Sequence, residues 1–362
     1  MLALGTAQTL AWASSYDIPA ILAGPMARDL GLAASSVFGA FSAALVFSAL
    51  LGPVVGRAID ARGGRGVLAA SNLVLACGLC LLAAAPGPAL MLAGWLVLGA
   101  GMAMGTYDAA FATLAGLYGR GARASITGIT LLAGFASTVG WPLSALFEAE
   151  FGWRGACLAW AGLHLLLGLP LNRFLVPQAP PPAPAEAAPT VGGEAAPPRR
   201  AMPLLAFVFA ATWFVTGAMA AHLPVLLQAA GASTAGAIAA AALLGPAQVA
   251  ARIAEFGLLR RCHPLVSARL AALGHPLGAA ALVAFSGLAA MVFAVVHGMG
   301  NGVLTIAKAP LPLAVFGPAG YGARLGWLGA PARMLQARAP FPFGLLPQSA
   351  GVGLALALRT AR

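Results

Sequence analysis

Charge is what this chain has least of. Only 8 % of its 362 residues are Asp, Glu, Lys or Arg, while 60 % are apolar. A water-soluble domain carries about 25 % charged residues to cover its surface, so that class is excluded. Lysine occurs once, at Lys308. Cysteine is scarce too, and Cys77, Cys80, Cys157 and Cys262 give no disulfide framework. Cys77 and Cys80 form a CxxC inside an apolar run. Thiol redox or metal chemistry needs a polar, accessible setting, so the pair reads as small packing residues. HExxH, GxSxG, a Walker-type GxxxxGK and Cys/His ligand spacing are all missing. The common hydrolytic, nucleotide-cleaving and metal chemistries therefore have no foothold, and neither an enzyme nor a bound cofactor is expected. The run Gly298-Met-Gly-Asn-Gly302 follows no strand and does not read as a nucleotide loop. A basic n-region is missing before the first apolar run, so residues 2–25 read as a retained span and not as a cleaved signal.

What is present is long apolar segments. They cover 2–25, 37–56, 67–86, 89–114, 125–147, 155–176, 202–228, 235–257, 264–285, 287–308 and 326–346, with an apolar remnant at 348–358. About 20 residues is the length that crosses a bilayer as a helix, and backbone in lipid must satisfy its own hydrogen bonds. The net charge of +11 first suggests nucleic acid. Its placement argues otherwise. With the N-terminus in the cytoplasm, the cytoplasmic loops and helix ends hold thirteen arginines, among them Arg57, Arg62, Arg65, Arg260 and Arg261, and the other side holds Arg28 and Arg154. That is a positive-inside bias, which points to a multi-pass protein of the cytoplasmic (inner) membrane with no nucleic-acid partner.

The sequence also repeats itself. Ala-Leu-Leu-Gly-Pro occurs at Ala49–Pro53 and again at Ala242–Pro246, each time before a charged cluster. Trp12 and Trp213, Pro19 and Pro224, and the pairs Gly101/Gly105 and Gly298/Gly302 recur at similar offsets. Duplicated helical bundles are how many transporters are built. The Pro-, Ala- and Glu-rich stretch between them cannot bury a core. The expected organisation is an N-terminal six-helix bundle over 1–176, a disordered cytoplasmic linker over 177–201, and a C-terminal bundle over 202–362 with five spans and a short terminal segment.

The loop between spans two and three reads Gly56-Arg-Ala-Ile-Asp60-Ala-Arg62-Gly63-Gly64-Arg65. With the span count, the central loop and the duplication, this resembles the major facilitator superfamily. That family's loop signature is a Gly, three residues, an Asp and then an Arg/Gly/basic cluster. Gly56, Asp60, Gly63 and Arg65 match it; Ala61 stands where a basic residue is usual, and Arg62 follows one place on. Phe151-Gly152-Trp153-Arg154 is also common in such proteins. The protein looks most like bacterial members of the monocarboxylate or small-molecule efflux type. The resemblance implies an all-α membrane protein of two pseudo-symmetric six-helix halves; here the last helix is short or incomplete, which a C-terminal truncation or frame shift, a re-entrant end, or a partner supplying the missing helix would each explain. It implies a monomeric secondary transporter of a small organic solute, working by alternating access. The alternative is a transport-inactive remnant or sensor that keeps the fold.

Asp60 has a physical reading of its own. It is expected just past a helix C-terminus, where the macrodipole disfavours an anion. It needs Arg57, Arg62 or Arg65, or the N-terminal amides of another helix, and the latter contact could open and close as a gate. Gly56, Asp60, Arg62, Gly63 and Arg65 are the gate candidates. Ionisable groups at membrane depth are functional candidates by default. Asp17, Tyr107, Asp108, His222, His297, Asn301, Lys308 and Arg333 form the expected substrate or proton pathway. All but Arg333 lie in spans one, four, seven and ten, which line the cavity in this family; His164 in span six lies outside them. Asp17 or Asp108 can carry a coupling proton, and Lys308 with an Arg can hold a small organic anion. Each has a plain structural competitor: Lys308 can snorkel to the interface, and the histidines can be satisfied core residues.

Overall fold

The computed structural model describes residues 1–178, 199–258, 263–285 and 289–338. Most of the linker, Cys262, Arg260, Arg261 and the terminal segment 348–358 lie outside the described residues. All regular structure among the described residues is helical. In order along the sequence the helices are α1 (Leu2–Ala13), α2 (Pro19–Asp29), α3 (Ala34–Arg62), α4 (Gly64–Ala83), α5 (Pro88–Gly105), α6 (Tyr107–Tyr118), α7 (Arg123–Ala133), α8 (Ala136–Leu163), α9 (Ala201–Ala229), α10 (Thr234–Gly257), α11 (Pro264–Phe285), α12 (Ala290–Ala307), α13 (Pro310–Phe316) and α14 (Tyr321–Arg338). Six helical stretches among the described residues are long and apolar enough to cross a membrane. Many large apolar side chains stay exposed, such as Leu166, Phe174 and Val283, as lipid-facing residues should.

Several spans are less regular than the apolar runs suggest. The first is broken: after α1 the amides of Ser15, Tyr16 and Asp17 all point at the Trp12 carbonyl, and the helix resumes at Pro19. Proline at the first helical position needs no amide partner. The fourth is broken at Thr106, whose extended backbone (φ −93°, ψ −170°) separates α5 from α6. α8 changes direction at Gly152, where φ is +67°, a left-handed conformation that glycine adopts without strain.

Among the described residues, one unit comprises Met1–Ala206 and Pro312–Arg333, the other Phe207–Leu311 and the end of α14 from Met334. In the first, α4 and α5 pack closely and antiparallel. A Cβ on Gly94, Gly101 or Gly105 of α5 would meet Leu82, Leu75 or Ser71 of α4. In the second, Gly298 and Gly302 of α12 lie against the backbone of α10, and Gly274 and Gly278 of α11 lie against α12. Lipid gives no hydrophobic drive to helix association, so backbone-to-backbone packing has to supply it. The two units share a local design. Their glycine-rich helices α5 and α12 are each 18 residues long and each ends just before a buried charge, Asp108 in one and Lys308 in the other.

Candidate functional site

The loop motif is built around α3 and α14. Asp60 lies in the last turn of α3, two residues before its end and not beyond it. Its carboxylate accepts from two backbone amides at the start of α14, Gly322 N–H to Oδ1 at 2.8 Å and Ala323 N–H to Oδ2 at 2.9 Å. These are first-turn amides with no partner inside their own helix. The carboxylate therefore sits at the positive end of one helix dipole while sitting at the negative end of another. The approach is possible because both helices have glycine at i and i+4. A Cβ on Gly326 would stand 2.6 Å from Gly52 and Pro53 backbone atoms, and one on Gly322 2.6 Å from the Gly56 carbonyl. A Cβ on Gly56 would overlap the Gly322 carbonyl. Gly63, at φ +80°, turns the backbone from α3 into α4. Arg62 ends α3, and Arg65 donates to the Gln178 side chain at 2.6 Å.

A second acid meets the same helix deeper along its length. Arg333 Nη2 donates to Asp108 Oδ2 at 2.6 Å, with side-chain exposures of 15 % and 8 %. Gly322 and Arg333 are eleven residues apart, so their backbone positions are about 16 Å apart along α14, and the Arg333 guanidinium reaches back towards Gly52. The break at Thr106 is what places Asp108 in the first turn of α6, where the helix N-terminus favours an acid. Beside it, Tyr107 stacks on Phe111 at 5.2 Å and meets Trp12 at 4.9 Å. The rings continue through Tyr16 and Phe41 to Trp95, each centroid 5.2–5.4 Å from the next. Asp17, in the break after α1, accepts from Ser137 Oγ at 3.1 Å.

In the other unit, Asn301 Oδ1 accepts from Thr216 Oγ1 at 2.7 Å. Lys308 caps the end of α12, is 6 % exposed, and holds its Nζ 5.6 Å from the Trp213 ring centre. His297 is buried, with its Nδ1 2.9 Å from Nδ1 of His275 and its ring stacked on Phe293. His222 belongs to α9, but its side chain lies outside the described residues. Of the residues proposed from sequence, Tyr107, Asp108 and Arg333 thus come together in one unit. Asn301 and Lys308 share the α9–α12 face of the other, and Asp17 and His297 have separate partners.

Sequence reasoning passed over His275, Trp12 and Asp29. His275 follows a glycine within an apolar span and is identified only through its partner. Asp29 is held by Arg154 and by Trp153 Nε1 at 3.2 Å, while Arg154 also donates to the Ala85 carbonyl at 2.6 Å. The Arg154 hydrogen bond holds the Asp29 carboxyl below its ordinary pKa. Sequence reading also missed a buried network: His164 lies 2.6 Å from Ser14 Oγ and 2.9 Å from Asn72 Oδ1, tying α1 to α4.

The family model described as Major Facilitator Superfamily matches residues 4–335. Solved structures of the same fold include the human organic anion transporter MFSD10 (TETRAN), with TM-score 0.72, 17 % identity, and coverage of 99 % of this protein and 97 % of that one. They also include the proton:xylose symporter XylE bound to 6-bromo-6-deoxy-D-glucose, with TM-score 0.68, 14 % identity, and 99 % and 95 % covered. A third is the E. coli fucose:proton symporter FucP, with TM-score 0.68, 15 % identity, and 98 % and 96 % covered. No curated protein sequence matches this one.

Proposed function

The protein belongs to the major facilitator superfamily, and from that premise we propose that it carries a small organic solute across the cytoplasmic membrane by alternating access, with its N-terminus in the cytoplasm. The family and its fold point to a multi-pass transport protein and away from catalysis. The observation that carries the mechanism is the double acceptance by Asp60 at the start of α14. Such a contact can be broken without leaving either side unsatisfied, because at the cytoplasmic face water can hydrate both the carboxylate and the amides. The glycine faces of α3 and α14 fit the same role. Surfaces without interlocked side chains can part and rejoin with little repacking. Gly56, Asp60, Arg62, Gly63 and Arg65 then form the gate, which is closed while Asp60 caps α14.

The cargo reading rests on buried charge. Arg333, paired with Asp108, and Lys308 are buried cations, and a buried cation stabilises an anion brought against it. The solved human relative is an organic anion transporter. The symporter relatives are proton-driven. Asp17 and Asp108 are the acids suited to the coupling proton, with Tyr107, His222, His297 and Asn301 as pathway residues.

The test is uptake of radiolabelled organic anions and sugars into proteoliposomes with an imposed pH gradient. The expected result is accumulation above empty liposomes that collapses with a protonophore and is lost in Asp60→Ala at normal insertion. Uptake in that variant equal to wild type would contradict the gate.

A further inference from the structure

We propose that the solute is an aromatic carboxylate, which takes Arg333 from Asp108 while its ring lies along Trp12 and Tyr107. This rests on the transport reading above and names its substrate class.

The first observation is the state of Arg333. Its bond to Asp108 joins one guanidinium nitrogen to one carboxylate oxygen. A guanidinium can offer a planar two-pronged edge to a carboxylate, but Asp108 is tethered in the first turn of α6. A diffusing carboxylate can align with that edge. The pair is also dry, at 15 % and 8 % exposure, so the Arg333 charge cannot be left alone: removing one member of a buried pair is strongly unfavourable. A substrate carboxylate that takes Arg333 keeps that charge compensated, and Asp108, which stays in the dry site, takes up the coupling proton in the same step. A neutral solute leaves the pair as it is.

The second observation is the row of rings. Its two ends, Trp95 and Phe111, are buried in the bundle, whereas Trp12, Tyr16, Phe41 and Tyr107 between them stay partly exposed. Tyr107 is the residue before Asp108 in the first turn of α6, so the row of rings and the ion pair meet at the same helix end. The Trp12 indole N–H is buried and has no acceptor among the described residues. Aromatic faces and edges favour another ring over an aliphatic body of the same size. Charge at one end and aromatic surface along the side fit a planar ring that bears a carboxylate.

The exchange has a mechanical consequence. While Arg333 holds Asp108, α14 is bonded to α6. Once the substrate takes Arg333, that bond is gone. Binding therefore removes one polar tie on the helix that the gate must release.

The experiment is equilibrium binding of radiolabelled benzoate to the purified full-length protein, competed by cyclohexanecarboxylate (same charge, similar size, no aromatic face) and by benzyl alcohol (same ring, no charge). Benzoate is expected to bind, cyclohexanecarboxylate to compete roughly two- to tenfold less well, in line with the worth of a ring pair, and benzyl alcohol not to compete. Asp108→Asn removes the tethered competitor and is expected to tighten benzoate binding about tenfold, because the competent fraction rises. Trp12→Leu is expected to bring the benzoate to cyclohexanecarboxylate ratio towards one. The double variant Asp108→Asn/Arg333→Gln, which removes both members of the pair, is expected to bind none of the three. Equal competition by cyclohexanecarboxylate, competition by benzyl alcohol, or weaker benzoate binding in Asp108→Asn would overturn the proposal. The wild-type series stands even if a variant does not fold. Benzoate binding without proteoliposome uptake would sink the transport reading and spare this one. Sugar uptake without benzoate binding would do the reverse.

Discussion

Asp60 and Gly322 are 262 positions apart in sequence and 2.8 Å apart in space. An acid at the end of one helix is satisfied by the beginning of another, and the glycines that let the two backbones approach flank the bond on both helices. A charge at a helix N-terminus is worth about 0.3–1 kcal/mol when exposed and up to about 2 kcal/mol when partly buried. That is enough to bias an equilibrium and too little to freeze it.

Replacing Gly326 by valine is expected to force α3 and α14 apart, since even a Cβ there would stand 2.6 Å from backbone atoms of Gly52 and Pro53. Overpacking of this kind costs roughly 1–3 kcal/mol. The check is thermal unfolding in detergent, with Gly66→Val as the control because a Cβ at Gly66 meets nothing within 4 Å. A lower melting temperature is expected for the first and little change for the second.

Arg333 and Asp108 should be strongly non-additive. Asp108→Asn or Arg333→Gln alone removes one member of a buried pair, which costs roughly 3–5 kcal/mol. The double change is expected to be less destabilising than the sum. A double-mutant cycle on unfolding free energies measures the coupling, and additive values would mean that the pair is not formed.

Much of this was legible in the sequence. Helical class, membrane class and the loop motif follow from apolar length, basic asymmetry and the spacing of Gly56, Asp60, Gly63 and Arg65. The motif even specified what Asp60 would need, because an acid near a helix C-terminus has few possible partners. What stayed hidden was which partner. The amides of Gly322 and Ala323 have no side-chain identity to recognise. The breaks after α1 and at Thr106 were hidden too, because Ser14, Ser15 and Thr106 sit within runs that remain apolar on average. Those breaks place Asp17 and Asp108. Pairings such as His275 with His297 or Ser14 with His164 depend on helix rotation, which a single span does not reveal.

The Asp29–Arg154 clasp gives a pH signature. The Arg154 bond lowers the folded-state pKa of Asp29. Its contribution is therefore present above the unfolded carboxylate value and lost as pH falls through the folded one. The difference in melting temperature between wild type and Asp29→Asn is expected to be constant from pH 7 to about 5, to start shrinking near the unfolded carboxylate value of about 4, and to vanish only below the lowered folded-state value. A difference that grows on acidification would contradict the clasp.

Lys308 is expected to matter for transport more than for folding. It lies over Trp213 at the end of α12, and a cation–π contact is worth about 0.5–2 kcal/mol. Lys308→Met should insert normally and lose organic-anion uptake in proteoliposomes, and full uptake would remove it from the pathway.

The most direct test of alternation is a distance. With Cys77, Cys80, Cys157 and Cys262 replaced by alanine, spin labels at Arg57→Cys on α3 and Arg324→Cys on α14 report the separation of the two helix ends joined by Asp60. The expected result is two populations in the otherwise native protein, with Asp60→Asn shifting weight to the longer. A single distance, unchanged by that substitution, would contradict the account.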